Sequence, residues 1–217
     1  QVQSIQYSSI TPKQCVFEYV YFSRPDSVVY GESVHQVRKA FGHQLAVDYP
    51  READLVIAIP DSGNSAALGY SEALKIPFEF GITRNHYVGR TFIQASQAVR
   101  DFSVRVKLNP IASVLAGKSV IVIDDSLVRG TTAKRRISAL RRVGVTAIHM
   151  LIASPPVTSP CYFGIDTPDK SQLIANYKSI DEICDFIGAD SLAFLSRASM
   201  LAAIKSIQSE HFCAACF

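Results

Sequence analysis

Asp124 and Asp125 are neighbouring carboxylates, and Gly130, Thr131 and Thr132 follow them across a short loop. This combination suits a phosphorylated sugar. A glycine and two hydroxyl residues at the start of a helix offer unpaired backbone N–H groups to a phosphate. The acids beside them can meet sugar hydroxyls or a hard cation such as Mg2+. A Walker loop requires Gly-Lys-Ser/Thr, and no such lysine stands here; a dinucleotide fingerprint requires three spaced glycines, and this segment has one.

The elements around these residues must place them. Residues 120–123, Val-Ile-Val-Ile, read as a strand buried on both faces of a parallel sheet. The acids then emerge at its carboxyl end, the ligand edge of an open α/β sheet. Ile137, Leu140 and Val143 give the following helix its apolar spacing, and its basic residues 134–136 and 141–142 read mainly as a solvated face. A second buried strand is expected over 54–59, ending in the turn Pro60-Asp61-Ser62-Gly63, with Asn64 or Ser65 capping a helix to about Lys75. The aromatic run 15–22 reads as a strand, and Val34, Val37, Phe41 and Leu45 mark a helix after Glu32. Further strands are expected over 77–82 and 146–153, and short helices over 172–176, 180–187 and 198–207. Residues 84–109 form a long polar stretch of the kind that is functional or mobile more often than inert. Strands alternating with helices imply a parallel sheet with right-handed crossovers.

The 217 residues suit one substantial α/β domain with room for a small appendage, and 48% apolar composition is enough for a sizeable core. A net charge of +3 argues for no nucleic acid partner and no membrane surface. No apolar run approaches bilayer-spanning length, and the first residues do not read as a signal peptide. Residues 1–14 read as a tail or linker; without an initiator Met and with abrupt ends, the chain is expected to be a fragment or a processed product. Five cysteines do not form a disulfide framework in a chain of this cytoplasmic character. Cys213-Ala-Ala-Cys216 is a C-x-x-C that fits zinc, an iron–sulfur cluster, a redox pair or coincidence, while Cys184 lies in an apolar helix and reads as core.

Paired acids followed by Gly130-Thr131-Thr132 resemble the signature of the type I phosphoribosyltransferases, which bind 5-phosphoribosyl 1-pyrophosphate (PRPP). Residues 15–27, 59–63 and 84–93, with Tyr-Val-Gly-Arg-Thr-Phe at 87–92, resemble the glutamine PRPP amidotransferases, and the resemblance runs from about Cys15 to Phe217. It implies an α/β type I phosphoribosyltransferase fold, a central parallel sheet flanked by helices with a flexible lid loop. Residues 15–217 would be that domain, C-terminally truncated, and 1–14 the linker from a missing N-terminal glutaminase domain. The implied reaction transfers ammonia to C1 of PRPP, giving 5-phosphoribosylamine and pyrophosphate, the first committed step of purine synthesis. Without the glutaminase the chain is expected to use free ammonia and not glutamine.

The same resemblance assigns roles. Arg84, Tyr87 and Arg90 on the lid are the catalytic candidates, neutralising the leaving pyrophosphate. Asp61, Ser62 and Gly63 would meet pyrophosphate, and Asp124, Asp125, Ser126, Arg129, Gly130, Thr131 and Thr132 the rest of PRPP. Ser62, Asp124 and Asp125 would hold Mg2+. Cys15, Cys161, Cys213 and Cys216 match the ligands of a 4Fe-4S cluster in one branch of the family, with zinc as the alternative. A homo-oligomer is expected, cytoplasmic, or plastid-located in a plant. Ala95 and the pair Ile111-Ala112 depart from the family pattern near the lid. A nucleobase phosphoribosyltransferase and a PRPP-binding regulator of the same fold are the competing readings.

Overall fold

The computed structural model describes residues 12–84, 108–206 and 208–217, together with Gln3. The chain enters through β1 (Gln14–Cys15), makes a π-helical turn (Glu18–Phe22), and forms a small hairpin from β2 (Val28–Val29) and β3 (Glu32–Ser33). Helix α1 (Val34–Asp48) leads to β4 (Leu55–Ala58), then α2 (Asn64–Leu74) and β5 (Ile82–Arg84). After β6 (Leu108–Pro110) and the short α3 (Ala112–Leu115) come β7 (Ser119–Asp124), α4 (Thr131–Arg142) and β8 (Ala147–Ile152). Helix α5 (Ile180–Ile187), β9 (Ser191–Phe194), α6 (Arg197–Ala202) and β10 (Phe212–Cys213) complete it.

Four strands make one parallel sheet in the order β4-β7-β8-β9, with β7 and β8 in the middle. Their side chains alternate between two apolar layers. Ile121 and Ile123 face a layer with Val37, Phe41, Leu45 and Tyr70 of α1 and α2; Val120 and Val122 face Ile137, Leu140, Ile183 and Ile187 of α4 and α5. Both faces are therefore covered by helices, which is why β7 can be apolar throughout. No helix among the described residues is long and apolar enough to cross a membrane.

The parallel α/β architecture and the helices over 34–48 and 180–187 match the sequence reading; other elements correct it. Residues 15–22 are not a strand. Val16, Phe17, Tyr19 and Val20 are the buried ones, a helical rather than an alternating spacing, and the Ser23 N–H closes the turn on the Glu18 carbonyl at 3.0 Å. Helix α2 is capped by Gly63, without a side-chain cap from Asn64 or Ser65. Over 77–82 only Phe78 bridges to Val56, and β5 begins at Ile82. Val143 lies beyond the end of α4, Val145 being the buried residue there, and the last predicted helix is confined to α6. The stretch 172–176 forms two 3-10 turns, and strand β9 had no sequence expectation at all.

Helices α1 and α2 cross at contact distance because Gly42 and Gly69 face each other's backbones. A Cβ on Gly42 would stand 1.8 Å from the Ala66 carbonyl oxygen, and one on Gly69 2.0 Å from that of Lys39. Those backbone atoms cannot yield without separating the helices. Gly42→Ala is therefore expected to cost about 3 kcal/mol and to lower Tm by roughly 6–12 °C, measured by thermal denaturation; an unchanged Tm would show that the crossing relaxes freely.

Candidate active site

Strand β7 carries its apolar run to Asp124, and Asp125 follows immediately; both carboxylates are buried, at 6% and 8% exposure. The neighbouring β4 ends in step with it, the Ile59 N–H donating to the Ile123 carbonyl at 2.9 Å. The Pro60–Gly63 turn then folds over the end of β7. Gly63 is needed there, since a Cβ would lie 2.5 Å from the Ile123 carbonyl oxygen. Its N–H is committed to the Ile59 carbonyl, so Gly63 sets the turn while Asp61 and Ser62 face the cavity.

That turn brings Ser62 onto Asp125, to which its hydroxyl donates; Ser126 donates to the other oxygen at 2.5 Å. Asp124 accepts from the Asp125 N–H at 3.1 Å and from Arg136 Nη1 at 2.7 Å. Burial, reinforced by the adjacent Asp125 and opposed by Arg136, pushes the Asp124 carboxyl up to about 8.

Gly130 then turns the chain into α4 with φ +72°, and Thr131 and Thr132 open the helix, both exposed. A Cβ on Gly130 would meet Ile174 at 2.9 Å and Phe186 at 3.2 Å. The loop is held from below as well, the Ile174 N–H donating to the Val128 carbonyl at 2.9 Å. The first turn of α4 thus presents backbone N–H groups and two hydroxyls at the same sheet edge as the acids.

One cavity of about 760 Å³ joins these features, lined by Asp61, Ser62, Asp124 and Asp125 on one side and Ser126 to Thr132 on another. Tyr21 to Pro25, carried by the π-helical turn and the residues that follow it, line it as well. Arg38, only 4% exposed, fixes that wall by donating to the Tyr19 carbonyl at 2.7 Å and the Ser23 carbonyl at 2.8 Å. Arg84 reaches the rim and pairs with Asp61 at 2.7 Å. Tyr87 and Arg90, with nearly all of the expected lid, lie outside the described residues.

Two site residues escaped the sequence reading, Arg38 and Arg136. Each carries a signal: Arg38 falls within the buried stripe Val34, Val37, Phe41, Leu45, and Arg136 falls in step with Ala133, Ile137 and Leu140. Reading the basic run of α4 as a solvated face is corrected for Arg136, whose side chain is 23% exposed, and for Arg141, which pairs with Asp190 at 2.5 Å.

The four cysteines outside α5 do come to one region. Cys15 and Cys213 are register partners across β1 and β10, and the Thr158 and Ser159 N–H groups, close in sequence to Cys161, donate to the Cys216 carbonyl. Burial pushes the Cys216 thiol up to about 11, and Cys15, Cys161 and Cys213 add to the rise. For Cys161 burial acts upward, but N–H groups of Ile165, Phe163 and Gly164 outweigh it and lower the thiol. Among the described residues no three His, Cys, Asp or Glu side chains stand together as a metal-ion site.

A family profile described as "Phosphoribosyl transferase domain" matches residues 32–172, a span that contains the β4 turn, the acid pair and the loop into α4. The chain belongs to that family. Among similar proteins, "Amidophosphoribosyltransferase 1, chloroplastic" of Arabidopsis thaliana is 52% identical over 206 residues, 95% of this chain and 36% of the plant protein. The amidophosphoribosyltransferase of Synechococcus elongatus is also 52% identical, covering 95% of this chain and 42% of its own length. A solved glutamine PRPP amidotransferase from B. subtilis, complexed with ADP and GMP, superposes with a TM-score of 0.88 at 47% identity, over 99% of this chain and 48% of that one. The chain therefore spans less than half the length of these relatives.

For this phosphoribosyl transferase domain the acid pair has a thermodynamic consequence. Asp124 binds its proton more tightly folded than unfolded, so its contribution to stability is complete below about pH 4 and is lost as pH rises through about 8. The ligand-free domain is expected to lose denaturant resistance across that window, and Asp124→Asn to flatten the loss. Parallel profiles for the two proteins would show that the carboxyl ionises normally.

Proposed function

We propose that this chain is the phosphoribosyl-transferring part of an amidophosphoribosyltransferase, moving ammonia onto C1 of PRPP with release of pyrophosphate. The observation that carries the reading is the joining of a buried acid pair and an open helix N-terminus in one cavity. PRPP has the complementary layout: a phosphate at one end, hydroxyls in the middle and a pyrophosphate on C1. Identities near 50% to amidophosphoribosyltransferases over nearly the whole chain select this member of the family.

In this reading Gly130, Thr131 and Thr132 hold the 5-phosphate, with Ser126 and Arg129 along the same loop. Asp124 and Asp125 take the ribose hydroxyls, and Asp61 and Ser62 face the pyrophosphate. The site's donor set is all oxygen, which fits Mg2+ shared between one or two carboxylates and substrate phosphates. Ser62, Asp124 and Asp125 would hold it, and it would neutralise charge on the leaving group. Bond breaking at C1 needs no strong base, because ammonia is already a nucleophile. The protein's task is to orient the sugar, exclude water and hold cations near the departing oxygens. Arg84 stands at the rim for that purpose, and Tyr87 and Arg90 belong to the same proposal.

The 4Fe-4S cluster is part of it too. Four thiols from separate segments come to one region, as a cluster ligated by four cysteines requires. A multi-iron cluster draws N–H groups onto its sulfurs, as the Phe163 N–H lies 3.4 Å from Cys161 Sγ. The glutaminase domain and a homo-oligomeric assembly complete the reading, the first supported by the length of the relatives.

With PRPP, Mg2+ and ammonia the protein should release pyrophosphate, and Asp124→Asn combined with Asp125→Asn should reduce this at least about a hundredfold while preserving the circular dichroism spectrum. Release with a nucleobase but not with ammonia would replace the amidotransferase reading, and activity in the double variant would remove the proposed site. Protein purified without oxygen should be brown and contain iron and acid-labile sulfide, both lost in Cys161→Ser; colourless protein carrying zinc would refute the cluster.

A further inference from the structure

All four oxygens of the acid pair are engaged by groups of this chain. Asp125 is met by the Ser62 and Ser126 hydroxyls, and Asp124 by the Asp125 N–H and by Arg136. These donors are not equivalent toward an arriving cation. A serine hydroxyl can rotate and turn a lone pair to a metal, remaining in place as a ligand. A guanidinium has no lone pair to offer. Among the described side chains that meet these carboxylates, Arg136 alone must leave before a metal takes the oxygen it holds.

Arg136 is also only partly satisfied where it stands. Its Nη1 is bonded to Asp124 Oδ2 at 2.7 Å, yet its Nε is buried and has no hydrogen-bond partner among the described residues. A buried donor without a partner on a charged group is costly, which leaves this Nε able to meet an acceptor in the cavity. Arg136 lines the cavity itself, and a helical side chain leans toward the N-terminus of its helix, here the proposed phosphate end.

We infer that Arg136 is a resident counter-cation that keeps free divalent ions off Asp124 and Asp125 and yields Asp124 when metal arrives together with the pyrophosphorylated sugar. The exclusion of free metal stands on the contacts alone; the yielding step rests on the function proposed above. Displaced from Asp124, the guanidinium brings its unspent Nε donor to an anionic oxygen of the same ligand. One residue thereby makes metal and sugar bind as a unit, and protects the acid pair from being blocked by metal alone.

Binding of Mn2+ alone, followed by loss of its free-ion electron paramagnetic resonance signal across a pH series for each protein, so that proton release from Asp124 is separated from the effect of Arg136, tests the exclusion directly and needs no turnover. The wild-type protein should bind Mn2+ weakly, Arg136→Met about tenfold or more tightly, and Arg136→Lys within about threefold of wild type, because charge and not packing is the cause. Equal affinity in wild type and Arg136→Met would overturn the inference, as would equally tight binding in the Met and Lys variants. Arg136→Gln replaces the Met variant if circular dichroism shows that the latter does not fold. PRPP added to wild-type protein should then tighten Mn2+ at least about tenfold. Tight Mn2+ binding in the Met variant without any PRPP effect on wild type would leave the exclusion standing and refute the proposed substrate.

Discussion

Two adjacent carboxylates at the end of a fully buried strand set the terms for everything around them. Each oxygen removed from water requires a donor, and one strand cannot supply four. The donors come from the turn after β4, from the loop after β7 and from α4. Bringing the first close demands a residue without a side chain at Gly63, packed against the Ile123 carbonyl. Bringing the last close demands a short loop and an early helix start, which Gly130 makes by adopting φ +72° beneath no Cβ. The positions of β4, β7 and α4 and the glycines between them are consequences of that one concentration of charge.

The cavity that results is electrically divided. Its acid end favours hydroxyl donors and cations, and its helix end, with the partial positive charge of α4 and exposed Arg129, favours anions. A ligand carrying only an anion satisfies one end and is repelled by the other. A ligand with hydroxyls set between two anionic groups satisfies both. At about 760 Å³ the space is within the usual range for small-molecule sites, about 300–1,000 Å³. Specificity for such a bifunctional molecule thus arises from spacing along one strand–loop–helix unit and requires little from distant parts of the fold.

That unit was legible in the sequence because its information is local: an apolar β-branched run, two acids, a glycine and two threonines, then helical spacing. The parallel sheet was legible for the same reason, except for β9, whose four residues are too short a run to separate strand from loop. What failed most clearly was what depended on a specific side-chain partner and not on the local pattern. The 15–22 run has strand-like composition, but its turn is stabilised by Arg38, a residue distant in sequence that takes up the Tyr19 and Ser23 carbonyls. Arg136 looked like one more solvated cation among five basic residues, and only its step with Ala133, Ile137 and Leu140 marked it as facing inward. A charged residue in phase with an apolar stripe is the pattern to read, because burying it unpaired would be prohibitive and its partner must therefore exist.

The Tyr21 to Pro25 wall ties the site to the N- and C-terminal segments. Residues 15–25 carry Cys15 at one end and the pocket-lining Tyr21 to Pro25 at the other, with Tyr19 between them packed edge-on against Tyr30 and Phe212. Phe17 stacks on Phe217 at 5.9 Å, and Cys15 lies in register with Cys213. Glu32 takes the Lys205 and Ser206 N–H groups from the same side. The C-terminal residues therefore brace the segment that closes the cavity, and they do so mostly through aromatic edges and a two-residue strand pair. Contacts of that kind fix position only while both partners are held, since two short strands alone are marginal in water. The proposed cluster at the four thiols would supply that constraint, and through Tyr19 and Arg38 it would set the stance of the wall beside which the proposed sugar would lie.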